Sequence, residues 1–166
     1  NGPSGFGTSF IVADKFSSQN LRSVANNGTT FIVVGDAGTL LRSTDGETWS
    51  GVTTTSVTTR LNDVYYADSK WIAVGAAGTV IRSTDDGLNW SVVSSGSTFN
   101  LNSVYYQNEV WVAIGQTGNV LNSIDTDNWY QRSVGVSEDY NGLAFGDNKL
   151  VAVGLSSSIV YSSFET

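Results

Sequence analysis

The sequence predicts an all-β fold, a β-propeller of four blades with four antiparallel strands each. Three observations carry that expectation: a unit written four times, turn-forming residues at fixed places in each unit, and a composition rich in strand formers. The stretches "FIVVGDAGTLLRS" from residue 31, "WIAVGAAGTVIRS" from 71, "WVAIGQTGNVLNS" from 111 and "LVAVGLSSSIVYS" from 150 align without gaps. Their shared glycines, Gly35, Gly75, Gly115 and Gly154, set a period of 40, 40 and then 39 residues.

Each unit divides into four segments. The first is "LRSVAN", "LNDVYY", "LNSVYY" and "YNGLAF", beginning at Leu21, Leu61, Leu101 and Tyr140. The second, "FIVV", "WIAV", "WVAI" and "LVAV", is apolar on both faces, as a strand packed between two neighbouring sheets must be; a strand with one wet face alternates. The third runs into "TVIRS" and its counterparts, and the fourth is a tail led by Trp, such as "WSVVSSGS". Gly-, Asp- and Asn-containing pairs between them read as hairpin connectors. The chain is expected to form one domain over residues 1–166, with blades at about 21–60, 61–100 and 101–140 and a last blade from 141–166 plus 1–20. That last blade lacks a Trp-led tail, and the segment from Phe10 to Phe16 resembles one. The N-terminal segment is therefore expected to supply its outer strand and hide an edge that otherwise invites pairing with another chain.

Composition excludes several functions. Eight Lys plus Arg against fifteen Asp plus Glu give a net charge of −7 with no basic cluster, so a nucleic acid backbone is repelled. The absence of Cys and His removes thiolate chemistry, the commonest metal ligand and the commonest general base, so no metal and no cofactor is expected. No apolar run reaches the ~18 residues that span a bilayer, and membrane insertion is not expected. The start "NGPSGFGTSF" lacks the features of a signal peptide, and the chain reads equally as a mature form or as a domain of something larger.

One phrase recurs between the third and fourth segments. It is complete as "STDDGLNW" at 83–90, with Ser83, Asp85, Gly87 and Trp90. It is shortened as "STDGETW", with Ser43, Asp45 and Trp49, and as "SIDTDNW", with Ser123, Asp125 and Trp129; "SSFET" keeps only Ser162. This phrase resembles the Asp box of Asp-box (BNR-type) β-propellers, and the wider repeat is similar to those of photosystem II assembly-factor propellers and of bacterial and phage repeat proteins. The resemblance implies a structural hairpin on the rim, away from any active site. The physics of the residues agrees: the Asp carboxylate accepts N–H groups of its own turn, Gly takes positive φ, Ser adds a local hydrogen bond and Trp covers the hairpin. A calcium loop needs more oxygens in a fixed register than "DTDNW" supplies.

No catalytic residues are expected. Some Asp-box propellers are sialidases, and such a site needs three converging arginines, a Tyr–Glu pair and an Asp acid/base. Of the arginines here, only Arg42 and Arg82 share a repeat position, whose other occupants are Asn122 and Tyr161. Glu47, Glu109, Glu138 and Glu165 fall in turns or at the terminus, and a glycosidase requires two carboxylates facing each other across a cleft. The candidate binding residues are Arg42, Arg82, Asn122 and Tyr161, which would gather a carboxylate or an acidic segment, with separate surface ion pairs of the arginines as their plain structural reading. To these are added Tyr66, Tyr106, Trp71 and Trp111, repeated aromatics suited to stacking on sugar rings or proline-rich peptides, with inter-blade core as their plain structural reading. The chain is thus expected to be a non-catalytic binding or assembly module with a protein or glycan ligand, extracellular or part of a virion. A lectin-like carbohydrate binder is the alternative, and a glycoside hydrolase stands third. A monomer is expected, with a ring-forming homo-oligomer as its rival.

Overall fold

The computed structural model describes residues 11, 16–53, 57–132 and 134–163. It is an all-β propeller of four antiparallel sheets. Blade 1 holds β1 (Leu21–Asn26), β2 (Phe31–Gly35), β3 (Leu40–Ser43) and β4 (Ser50–Gly51). Blade 2 holds β5 (Leu61–Ala67), β6 (Lys70–Gly75), β7 (Val80–Ser83) and β8 (Ser91–Val93), and blade 3 holds β9 (Leu101–Gln107), β10 (Val110–Gly115), β11 (Val120–Ser123) and β12 (Tyr130–Arg132). Blade 4 has three strands among the described residues, β13 (Tyr140–Gly146), β14 (Lys149–Gly154) and β15 (Ile159–Ser163). The outer strand expected from Phe10 to Phe16 falls largely outside the described residues. In every blade the strands pair in chain order, so each connection is a hairpin.

Each blade has a forward face toward the next blade and a back face toward the one before. Ile32, Val34 and Leu40 on the forward face of blade 1 bury against Leu61, Val64, Trp71, Ala73, Ile81 and Trp90 of blade 2. The same repeat positions, Ile72, Val74 and Val80, bury against Leu101, Val104, Trp111, Ala113, Leu121 and Trp129 of blade 3. Val112 and Ile114 then meet Tyr140, Leu150 and Ala152 of blade 4. The core is therefore three sandwich layers between sheets. This explains why β6 and β10, the second strands of blades 2 and 3, are apolar on both faces.

The first strands lie side by side about the axis, β5 between β1 and β9, and β9 between β5 and β13. Each carries a register shift at its second residue: between Leu21 and Ser23, between Leu61 and Asp63, opposite Ile114 and Gly115 in blade 3, and between Tyr140 and Gly142. The repeated glycine explains the geometry. A Cβ on Gly75 would lie 2.1 Å from the carbonyl oxygen of Arg60, and one on Gly115 would lie 1.9 Å from that of Asn100. Only a residue without a side chain lets the strand-leading carbonyl come close enough to accept the next amide, as Arg60 O does from Ala76 N at 2.8 Å and Asn100 O from Gln116 N at 2.9 Å. No helix among the described residues is long and apolar enough to cross a membrane.

Candidate functional site

The Ser–Asp–Trp phrase forms the hairpin between the third and fourth strands. Ser83 Oγ donates to Asp85 Oδ1 at 2.8 Å, and Asp85 accepts from the Asn89 backbone at 2.9 Å and from its side-chain amide at 2.7 Å. Asp45 accepts from the backbone N–H groups of Glu47 and Thr48, both at 2.8 Å, and from the Thr48 hydroxyl. Asp125 accepts from Asp127 and Asn128 at 2.9 and 2.8 Å and from the Asn128 side chain at 2.8 Å. These donors stabilise the charged carboxylate. The Asn128 side chain and backbone hold Asp125 down at about 2. The Thr48 hydroxyl and backbone amide hold Asp45 well below the usual aspartate value, and the side chain and backbone of Asn89 hold Asp85 below it. Trp90 Nε1 donates to Gly87 O at 3.0 Å, Trp129 Nε1 to Thr126 O at 3.3 Å, and the Trp49 ring lies 6.3 Å from that of Phe31. Every polar group of the phrase named here is thus engaged inside its own turn.

The two repeated arginines do not form a shared anion site. Arg42 Nη2 contacts Asp86 Oδ2 at 2.6 Å, and its Nε donates to the Asp86 carbonyl at 2.9 Å. Arg82 Nη1 contacts Asp127 Oδ1 at 2.6 Å and the Thr126 hydroxyl at 3.0 Å. Each guanidinium pins the hairpin of the following blade, the arrangement of separate ion pairs that is the plain structural reading of these positions. Asp86 is a hub, also accepting from Asn27 Nδ2 and Thr30 Oγ1, both at 2.7 Å. Burial pushes its carboxyl up, but these hydrogen bonds and Arg42 outweigh that and hold it below the ordinary value.

Asn122 accepts at Oδ1 from Arg132 Nε of its own blade at 3.0 Å, and Tyr161 is largely exposed. The aromatic platform is also corrected. Trp71 and Trp111 are fully buried, with Tyr66 and Tyr106 packed on them at centroid distances of 4.8 and 5.0 Å. Desolvation holds the Tyr106 hydroxyl above its ordinary value. The two tryptophans fill the space between blades, and the two half-buried tyrosines pack on them.

Two of the concave sites among the described residues lie where blades meet. The larger, about 770 Å³, is a groove between blades 3 and 4 floored by aliphatic side chains including Val112, Ile114, Leu150 and Ala152, with Asn122, Arg132, Tyr161 and Ser163 among the polar residues lining it. It opens where the clamp series ends. Asn122 stands where blades 1 and 2 place arginine, and β15 has no fourth strand outside it among the described residues. Among the described residues no Asp or Glu lines this groove.

The second, about 470 Å³, lies at the axis and is lined by Leu21, Arg22, Arg60, Asn62, Asn102 and Asn141. Here the residues at the four bulges meet: Asn62 Nδ2 donates to Leu101 O at 2.7 Å, and Asn102 Nδ2 to Tyr140 O and Asn141 Oδ1, both at 2.9 Å. Beside them Asp63 joins three blades, accepting from Ser23 Oγ at 2.7 Å, Ser103 Oγ at 2.9 Å and Val104 N at 3.0 Å. The polar residue recurring after each strand-leading Leu or Tyr is the signal that could have located this axis. Among the described residues no group of three or more His, Cys, Asp or Glu is placed to hold a metal ion.

Comparison with known proteins places this geometry. No curated protein matches the sequence. The fold is similar to the computationally designed Ika4 protein, with TM-score 0.76, 13% identity, and coverage of 96% of this chain and 100% of that one. It is similar to YCF48 bound to D1 peptide, with TM-score 0.69, 20% identity, and coverage of 88% of this chain and 52% of that one. YCF48 from Cyanidioschyzon merolae matches at TM-score 0.71 and 16% identity, over 93% of this chain and 59% of that one. The chain thus spans between half and two thirds of the length of the YCF48 chains. At sequence level the family described as the DUF6242 beta propeller domain matches residues 8–101, more than half of the chain. With four repeats, four antiparallel sheets and this match together, the chain belongs to the DUF6242 beta propeller domain family.

Proposed function

We propose that the protein is a non-catalytic binding module that captures an extended polypeptide segment of a partner protein in the groove between blades 3 and 4. The observation that carries this reading is the conjunction of an aliphatic groove with the outer edge of β15, the strand that ends its sheet among the described residues. A peptide laid along that edge pairs its backbone with β15, sends alternate side chains onto the half-buried Val120, Val134 and Val160, and brings an acidic side chain to Arg132. The likeness to a YCF48 chain bound to a peptide supports a peptide as the kind of ligand. The commitment of Asp45, Asp85 and Asp125 to their own turns, and a groove lined among the described residues by no carboxylate, support binding without turnover.

The test uses a capped synthetic peptide alternating Val and Ser and ending in Glu, with a scrambled peptide of the same composition as control. Amide chemical-shift changes are expected at Val112–Ile114 and Val160–Ser163 for the alternating peptide only, weakened by Arg132→Ala. Changes elsewhere, or equal changes with the scrambled peptide, overturn the reading.

A further inference from the structure

The two end blades each leave the part of one face nearest the axis open, although Val33 and Leu41, farther out on the back face of blade 1, are buried. On the back face of blade 1, Leu21 is 52% exposed and Val24 60%, whereas their repeat equivalents Leu61 and Val64 are 0% and 2% exposed. On the forward face of blade 4, Val153 is 47% exposed and Ile159 68%, whereas Val74 and Val80 are both 0% exposed. The close packing that joins β1 to β5, β5 to β9 and β9 to β13 has no counterpart of that extent between β13 and β1. Large apolar side chains left open along β1 of one end blade and on β14 and β15 of the other mark surfaces that something covers.

We infer that this something is a second copy of the chain, with blade 4 of each copy docking on blade 1 of the other to close a ring of eight blades. The repeat itself specifies the fit. The exposed face of blade 4 occupies the positions that bind forward in blades 1 to 3, and the exposed face of blade 1 occupies the positions that receive them. Any copy of the chain therefore carries both halves of the joint.

The angle between blades separates this arrangement from closure within one chain. Four blades closing on themselves must turn about 90° from one to the next, and eight about 45°. The wider angle drives the outer hairpins of neighbouring blades apart, and here they are held together. A Cβ on Gly87, in the outer hairpin of blade 2, would lie 2.5 Å from Ile32 Cδ1 of β2, and the Arg42–Asp86 and Arg82–Asp127 pairs tie the outer hairpins of blades 2 and 3 to β3 and β7 of the blades before them at 2.6 Å. Closing the ring within one chain breaks these contacts, whereas adding a second copy keeps them. Two seams acting together also make the association bivalent, so a modest joint gives a stable pair.

Light scattering after size exclusion of the 166-residue chain, at micromolar concentration, is expected to give twice 17.6 kDa. Val24→Lys blocks one half of the joint and Ile159→Lys the other. Both sites are already exposed within the single chain, so each variant is expected to keep its β circular dichroism and to elute at 17.6 kDa. Mixing the two variants restores one intact seam and is expected to return a fraction of the mass to the dimer. A wild-type monomer, which signals closure within the chain or cover by some other partner, overturns the inference. So does a larger or open-ended assembly, or a dimer that survives both substitutions. If either variant fails to fold, the wild-type mass together with a Leu21→Lys variant decides in its place.

Discussion

Asp85 shows what can be read from a short phrase and what cannot. It accepts from the Ser83 hydroxyl and from both amides of Asn89, all within seven residues of sequence, so the turn was legible in "STDDGLN" itself. Asp85→Ala is expected to cost about 1 kcal/mol of stability, as loss of a capping carboxylate does, while leaving peptide binding in the groove unchanged. Urea unfolding and the shift-mapping assay check the two halves of that statement. The same hydrogen bonds make the fold acid-sensitive. Asp45, Asp85 and Asp125 have folded-state values below the ordinary aspartate value, so as pH falls the unfolded chain takes up protons before the folded one does. Their contribution is complete above about pH 4 and is lost progressively as the pH drops toward 2. Melting temperature followed across that interval is expected to fall, and Asp125→Asn to make the fall shallower. Arg42 is the contrasting case. Its partner Asp86 lies 44 residues away, and nothing in "LLRS" says that the following blade aims a carboxylate at it.

Among the strands, the two-sided apolar pattern of β6 and β10 announced sheets packed on both sides, and the structure builds that layering. Trp71 and Trp111 belong to the same pattern. Their recurrence read equally as a stacking platform and as core, because periodicity states that a position is equivalent without stating which surface covers it. The bulges were less legible. They depend on how closely the carbonyl of Arg60 or Asn100 approaches the second strand, a distance between segments some fifteen residues apart, and only the recurring glycine hinted at it. Gly75→Ala tests that account. The backbone there is extended and tolerates any residue, so the whole penalty comes from the contact with Arg60 O at 2.1 Å. The expected loss is about 1–3 kcal/mol, as for overpacking of a filled site. Gly51→Ala, where a Cβ meets nothing within 4 Å, is expected to change thermal stability little, and parity of the two variants would show that the close approach does not set the choice of glycine.

At the scale of the whole molecule, stability follows how many neighbours a blade has. Blades 2 and 3 are covered on both faces by apolar layers, and β6 and β10 hold Ile72, Ala73, Val74, Ala113 and Ile114 at complete burial. Blade 4 packs on one side only, against Val112 and Ile114, beside the groove that opens where the arginine clamp gives way to Asn122. Local opening draws on the elements with the fewest buried contacts, so hydrogen exchange is expected to be slowest in β6 and β10 and roughly tenfold or more faster in β14 and β15. Blade 1 falls between, because its forward face is sealed by Trp71 and Trp90 while Leu21 and Val24 on its back face are open. Concentration separates intrinsic weakness from an unfilled joint. If end blades are completed by a second copy, protection in β1, β13, β14 and β15 rises with protein concentration while that in β6 and β10 stays fixed. Exchange measured at two concentrations spanning the dissociation of the pair is expected to show that divergence. Uniform protection across all four sheets at both concentrations would show instead that the blades unfold as one unit, with the end faces contributing nothing to it.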